Sequence, residues 1–400
     1  MPTLLIDLDL DALPEEPIQL PGPQRVRAVV WRGLAPLGQI AFDAGHEVTP
    51  ERLEIEARLQ LGDSTPPSKV TRPASGLPTM TVAICTRDRP ADLLRCLDSL
   101  RLQVDPPTHE VLVVDNAPAT DATRNLVHAR GDARYVVEDV PGLDFARNGA
   151  LREASGEILV FLDDDTIAPP GWLRSVAAVF AREPHVGVSS GPVIPAELET
   201  EAQELFERRG GFTQTFEPQL LRRDTPGQAG HWPLLAGAHA SGCNLAVRTA
   251  AMRSLGGFDE ALGAGTPAAG GDDYDIVYRM LMEGYTFAYE PDTLLKHRHR
   301  RDMDALTHQM ESWGRGTVAY LMKCKKSRES RRLEVWRAIA WLFKYEARRL
   351  AVSARPSTTD RFPVTLVLAE LGGCVRGLWA YRRSQRYVRR VTSRPSSTTR

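Results

Sequence analysis

The chain has 400 residues, 42% hydrophobic and 25% charged, a composition that excludes disordered, collagen-like and low-complexity classes and suggests two or three folded units. A chain of this length buries roughly 75% of the surface its unfolded form exposes, so no covalent staple is required. Net charge is −1, but from Lys296 onward 25 Lys and Arg face only 8 Asp and Glu, and the acidic excess lies before that point.

Five cysteines (Cys85, Cys96, Cys243, Cys324 and Cys374), odd in number and without a CxxC pair, exclude a disulfide framework or zinc knuckle and imply a reducing, cytoplasmic compartment. The N-terminal stretch MPTLLIDLDLDALPEEP carries aspartates where a secretory signal would be basic. The longest apolar stretch, 363–381, contains Glu370 and Arg376, so no membrane-spanning helix is expected.

In chain order, VRAVVW (26–31) and GQIAFDA (38–44) read as strands and EVTPERLEIEARLQ (47–60) as a helix entered through Thr-Pro-Glu. The Pro-rich, aperiodic stretch 64–79 reads as a linker, making 1–76 an accessory domain with no legible chemistry. From 79 to 302, short apolar strands (81–85, 110–115, 133–138, 157–163 and a weaker 186–193) alternate with helices (91–103, 120–129, 144–154, 171–183), the pattern of an α/β domain with a mostly parallel sheet. Residues 303–400 read as a basic α-helical region. Its Trp336, Trp341 and Trp379, interleaved with Lys and Arg, form either the apolar seam of packed helices or a peripheral contact with an anionic membrane surface. Nucleic acid is not expected as a partner.

The chemistry gathers at strand ends, where ligands bind in such sheets. Strand EILVFLD runs into Asp163-Asp164-Asp165. Asp163 and Asp165 there offer hard oxygen ligands for Mg²⁺ or Mn²⁺ and, through it, phosphate; the alternative is a helix N-cap. Asp115 ends the next strand, positioned to accept from a nucleotide base N–H or to close an Asx turn, and Thr86 and Arg87 end the first, as donors to base or phosphate. Arg147 and Asn148, early in a helix, either face and balance the carboxylates or lie exposed. The Gly/Ala/Pro-rich loop 263–271 leads to Asp272-Asp273-Tyr274-Asp275, either helix caps or a general base on a mobile loop. His297 and His299 share one face of TLLKHRHRRD, as surface decoration or as a source of a third metal ligand.

Together these ordered motifs resemble family 2 of the nucleotide-sugar glycosyltransferases, with the GT-A fold, over about residues 80–300. TVAICTRDRP resembles the family's opening strand and turn, placing Thr86 and Arg87 against the nucleotide. Asp115 falls at the uracil-reading Asp, ARNGALREASG on the "ARN" helix with Arg147 and Asn148, and Asp163, Asp164 and Asp165 on the DxD metal motif. SGCNLAVRTAAMRSLGGFDEAL resembles the acceptor-side segment, placing Asn244, Gly257, Phe258 and Asp259 there. GGDDYDIVYR resembles the "GEDxDL" helix, which implies Asp273 as base with Asp272 in place of the usual Glu, and His297 matches a histidine of many members. The resemblance implies an inverting, metal-dependent transfer, with Mn²⁺ or Mg²⁺, from a nucleotide-sugar donor such as a UDP-sugar to a glycan, lipid-linked or small-molecule acceptor. The alternative is an inactive scaffold of the same fold that binds membrane or a polyanion through its basic tail.

Overall fold

The computed structural model describes residues 3–62, 76–213, 215–226, 231–325, 332–355 and 362–393. Most of the expected linker falls outside them.

The N-terminal unit contains β1 (Leu4–Asp9), β2 (Ile18–Gln19), β3 (Gln24–Arg32), β4 (Ala35–Ala44), β5 (Glu47–Val48) and α1 (Pro50–Leu61). Strand β1, absent from the sequence reading, pairs parallel with β3, and β4 pairs antiparallel on its other side. Thr49 caps α1 through its hydroxyl, with Pro50 in the first turn, and the helix buries Leu53 and Ala57 against Val26, Val30 and Ile40. The unit also docks on the rest of the chain. Val29 and Trp31 join Ile194 and Leu294 in one apolar cluster, and ion pairs link Asp7 to Lys296 and Arg27 to Glu207.

The central domain continues with β6 (Met80–Thr86), α2 (Pro90–Arg101), β7 (His109–Asn116), α3 (Ala122–Arg130), β8 (Arg134–Glu138), α4 (Leu143–Glu153), β9 (Ile158–Asp163), β10 (Thr166–Ile167) and α5 (Trp172–Arg182). Then come β11 (Val186–Ser190), β12 (Val193–Pro195), α6 (Glu201–Arg209), β13 (Gln219–Leu221), β14 (Asn244–Arg248), α7 (Thr249–Ser254), α8 (Asp272–Met282), β15 (Thr286–Tyr289) and β16 (Leu295–His297). The main sheet has the order β13-β15-β11-β14-β9-β6-β7-β8, and only β14 and β13 run against the others. The apolar run expected at 186–193 divides, so that β12 joins β16 and β10 in a small second sheet.

Register explains why polar residues meet at one rim. Thr86 lies beside Asp115 on β7, and Cys85 lies beside Asp163 on β9. In the small sheet Thr166 is opposite His297, which brings the histidine next to the aspartate triplet.

Three helices complete the chain: α9 (Met303–Cys324), α10 (Arg332–Ser353) and α11 (Val364–Thr392). Among the described residues α11 is the one helix with the length and apolar content to cross a membrane, and 44% of its most apolar window is buried within this structure. Glu370 in that window pairs with Arg209 and Arg349, and the exposed Arg376 pairs with Glu311. Helices α9 and α11 approach through glycines. A Cβ on Gly314 would collide with the Glu370 carbonyl, and one on Gly373 with the Glu311 carbonyl. The tryptophans expected in the apolar seam are outside it, with Trp336 43% and Trp379 55% exposed.

Replacing Gly373 by Ala forces the two helices apart and should lower stability by about 1–3 kcal/mol. Gly372→Ala, one residue away with open space at its Cβ, should be neutral or stabilising by up to about 1 kcal/mol. Thermal unfolding of the two variants checks the contrast, which disappears if α9 and α11 do not pack this way.

Candidate active site

The strand ends open into a cleft of about 780 Å³ whose lining includes Asp163, Asp272, Asp273, His297 and Arg300. The aspartate triplet is not a helix cap: α5 begins only at Trp172, after Gly171. Asp164 accepts from the Thr86 hydroxyl at 2.7 Å and pairs with Arg89, whose Nη2 reaches Asp165 at 2.9 Å. Thr86 thus spends its hydroxyl proton on Asp164. Arg87 is exposed, with its Nε 3.8 Å from Asp88. Arg89, two residues further along the same TRDRP turn and passed over in sequence reading, pairs with two members of the triplet, and Arg300 Nη1 lies 3.8 Å from Asp165.

Asp163 is the member of the triplet that faces the cleft, its side chain 36% exposed. Its carboxylate, the His297 imidazole and the Cys243 sulfur have ligand atoms within 4.8 Å of one another. Asp165 Oδ1 is buried without a hydrogen-bond partner, 3.2 Å from His297 Nε2. Burial would raise the Asp165 carboxyl, but His297 and Arg89 outweigh it and hold it well below the usual range. Cys243 is a buried thiol, its pKa pushed up by burial, with Sγ 3.1 Å from the Ser241 hydroxyl. That leaves carboxylate oxygens and one imidazole, a donor set that fits Mn²⁺ or Mg²⁺.

Arg147 lies at the centre. It projects from α4, is 2% exposed, pairs with Asp272, and places Nη2 3.9 Å from Asp163 and Nη1 3.8 Å from Asp144. Its Nη2 also donates to the Gly242 carbonyl at 3.0 Å, and any side chain at Gly242 would meet the guanidinium. The ring of Phe258 lies 5.3 Å from it. Of the two sequence alternatives for this helix, the one in which Arg147 faces the carboxylates holds. Asn148 does not share that role. Its amide clamps the 257–260 turn, donating to the Phe258 carbonyl and Glu260 at 3.1 Å and accepting from the Phe258 N–H at 2.8 Å.

The two acidic residues at the start of α8 divide their tasks. Asp272 is taken by Arg147, whereas Asp273 has no Lys, Arg or His within ion-pair distance among the described residues and keeps only a 2.8 Å bond from the Tyr274 N–H. Burial and the adjacent Asp272 charge push the Asp273 carboxyl up to about 7. Asp275 is bound by Arg279 and Lys323. The loop before α8, expected to be mobile, is packed: Gly271 lies against the Gly316 carbonyl on α9, and the Ala268 N–H donates to Ser384 on α11 at 2.8 Å.

Asp115 is fully buried. Its Oδ2 accepts from the Tyr135 hydroxyl at 2.9 Å while Oδ1 has no partner, and burial raises its pKa. The turn is made instead by Asn116, which donates to the Val140 carbonyl and accepts from the Gly142 N–H, both at 2.8 Å. Sequence reading also missed Asp144, buried beside Arg147 with both oxygens unpartnered and its pKa raised by burial and by Asp272.

The residues expected on the acceptor side do not line the cleft. Asn244 is satisfied by Trp172 and the Thr293 carbonyl, Gly257 packs on Asn148, Phe258 stacks edge-on against Phe161, and Asp259 binds Lys323 and Tyr381. Trp313 of α9 with Trp341 and Tyr345 of α10 do line the cleft, the last two rings stacked at 5.5 Å.

Residues 81–235 match the family model described as Glycosyl transferase family 2. A validoxylamine A glucosyltransferase from Streptomyces hygroscopicus is 30% identical over 230 residues, covering 52% of this chain and 49% of that protein. A pre-mycofactocin glycosyltransferase from Mycobacterium tuberculosis is 27% identical over 237 residues, covering 58% and 46%. The chain thus spans about half the length of these curated relatives. A mannosyltransferase from Pyrobaculum calidifontis, solved with GDP-Man and Mn²⁺, superposes over 76% of this chain and 88% of its own with a TM-score of 0.51 at 20% identity, a likeness of fold. The architecture is GT-A, and residues 81–235, which carry the triplet and the ARN helix, match glycosyltransferase family 2, while the acidic pair on the same cleft lies beyond that segment.

Proposed function

We propose that this chain is an inverting, metal-dependent glycosyltransferase acting on a nucleoside diphosphate sugar, with uracil as the base. The observation that carries the reading is Arg147, which pairs with Asp272 and reaches Asp163 from the same buried position, so that the triplet and the 272–273 pair serve one cleft. Asp163, Asp165 and His297 would hold Mn²⁺ or Mg²⁺, which when bound neutralises charge on the departing diphosphate. The unpartnered Oδ1 of Asp115 accepts the base N–H. Asp273 takes the proton from the acceptor hydroxyl as its oxygen bonds to the anomeric carbon and the bond to the diphosphate oxygen breaks. That single displacement inverts the centre. Trp313, Trp341 and Tyr345 offer flat faces to a ring-bearing acceptor. The exposed Trp336 and Trp379, set among arginines, support peripheral docking on an anionic membrane.

Four measurements test this. Asp273→Asn should lower turnover by about 10²–10⁴-fold with nucleotide binding intact. In the native protein kcat/KM should rise about tenfold per pH unit below pH 7 and level off above it, because the base works only when deprotonated and its pKa lies at about 7. Unimpaired turnover in the Asn variant excludes Asp273. By calorimetry UDP should bind more tightly with Mn²⁺ than without, and Asp165→Ala should erase the difference; equal affinities refute the metal assignment. Vesicles containing phosphatidylserine should sediment the protein, and Trp336→Ala with Trp379→Ala should release it. Unchanged sedimentation of that double variant rejects the docking role.

A further inference from the structure

A file of side chains runs from the N-terminal unit to the cleft. Arg27 on β3 pairs with Glu207 on α6, Glu207 Oε1 lies 3.0 Å from His299 Nε2, His299 Nδ1 lies 3.1 Å from His297 Nδ1, and His297 Nε2 lies 3.2 Å from Asp165 Oδ1. Both imidazoles are buried and packed against Phe212, with Phe206 also against His299, so neither ring is free to turn.

Hydrogen-bond chemistry fixes the protons along this file. A carboxylate only accepts, so His299 donates from Nε2 to Glu207. A neutral His299 then has a lone pair on Nδ1, and at 3.1 Å His297 must donate to it from its own Nδ1. A His297 that gives up its second proton has its remaining one spent there and turns an Nε2 lone pair toward Asp165 Oδ1. At 3.2 Å the two atoms share either a proton on Nε2, as in the ion pair that holds the Asp165 carboxyl down, or a metal cation that replaces that proton. Histidines that ligate metals owe tautomer and orientation to such outer partners.

We infer that Arg27, Glu207 and His299 are positioning residues for the cation site, and that the N-terminal unit thereby helps to set His297 in its ligating tautomer. Arg27 keeps Glu207 charged and in place, Glu207 fixes His299, and His299 fixes His297. The accessory unit, whose sequence shows no chemistry of its own, so acquires a role in the reaction. This rests on the metal reading above, but its first consequence does not require the metal.

The test uses the full chain. In metal-free protein, ¹⁵N correlation spectra of the imidazoles should find His297 protonated on Nδ1 and His299 on Nε2. Glu207→Leu should make His297 a mixture of tautomers, while Glu207→Gln, whose amide oxygen still accepts, should preserve the native pattern. Mn²⁺ titration followed by electron paramagnetic resonance should give an affinity about tenfold weaker in Glu207→Leu, at the lower end of outer-partner effects. Arg27→Met should weaken it by a smaller factor. Asp7→Asn, which removes the other ion pair between the unit and the domain, should leave affinity unchanged. Protonation of His297 on Nε2 alone, with Nδ1 bare, overturns the inference, as does native-like Mn²⁺ affinity in both Glu207→Leu and Arg27→Met. A weakening in Asp7→Asn equal to that in Arg27→Met also overturns it, since general docking would then be the cause. A native protein with the expected tautomers that binds no Mn²⁺ refutes the metal reading instead.

Discussion

The buried guanidinium of Arg147 lies among the carboxylates of Asp144, Asp163 and Asp272, drawn from α4, β9 and α8. Acidic groups taken out of water and held this close destabilise the fold through desolvation and mutual repulsion unless a cation is shared among them. Arg147 answers both costs from one position, anchored by the Gly242 carbonyl and the Phe258 ring. Its pairing is also selective. Asp272 takes the guanidinium, while Asp273 next to it has no cationic partner within ion-pair distance among the described residues, and burial with the Asp272 charge pushes its carboxyl up to about 7. Separate environments for two adjacent carboxylates give one a structural task and the other a chemical one.

The C-terminal helices belong to the same construction. Glycines let α11 approach α9 closely, α9 in turn presses Gly316 against Gly271, and Ser384 of α11 holds the Ala268 N–H. The loop that delivers Asp273 is therefore braced from behind. Asp259 ties the GGFDE turn to the same helices through Lys323 and Tyr381, while Asn148 holds that turn from the α4 side. Of the residues that sequence resemblance assigned to the acceptor, Asp259 thus joins the central domain to the helices, and one end of the cleft receives aromatic rings from α9 and α10. Charge balance follows a similar rule at the edge of the cleft, where Arg209 and Arg349 neutralise Glu370 beneath Tyr345.

Much of this was legible in the linear chain because it depends on local periodicity. Apolar runs of strand length ending in Asp115 and Asp163 had to form buried parallel strands with their carboxylates at the rim, and Thr49-Pro50-Glu51 had to open a helix. The order of motifs along the chain was enough to suggest the family. Strand β1 escaped notice because LLIDLD alternates only imperfectly and its partner β3 is distant in sequence.

What the sequence by itself determined is the alternation of strands and helices, the strand-end aspartates and the acidic pair at the start of α8, since each is set by residues within a few positions of one another. Tertiary structure alone decided which cation meets which carboxylate: Arg89 rather than Arg87 on the triplet, Arg147 on Asp272, Asn148 on the turn instead of the cleft. It also decided that His297 and His299 are buried in a hydrogen-bonded file and not displayed on the surface. The physical reason is that charge pairing and proton placement depend on distances of a few ångströms between atoms far apart in the chain, and no local pattern encodes such distances.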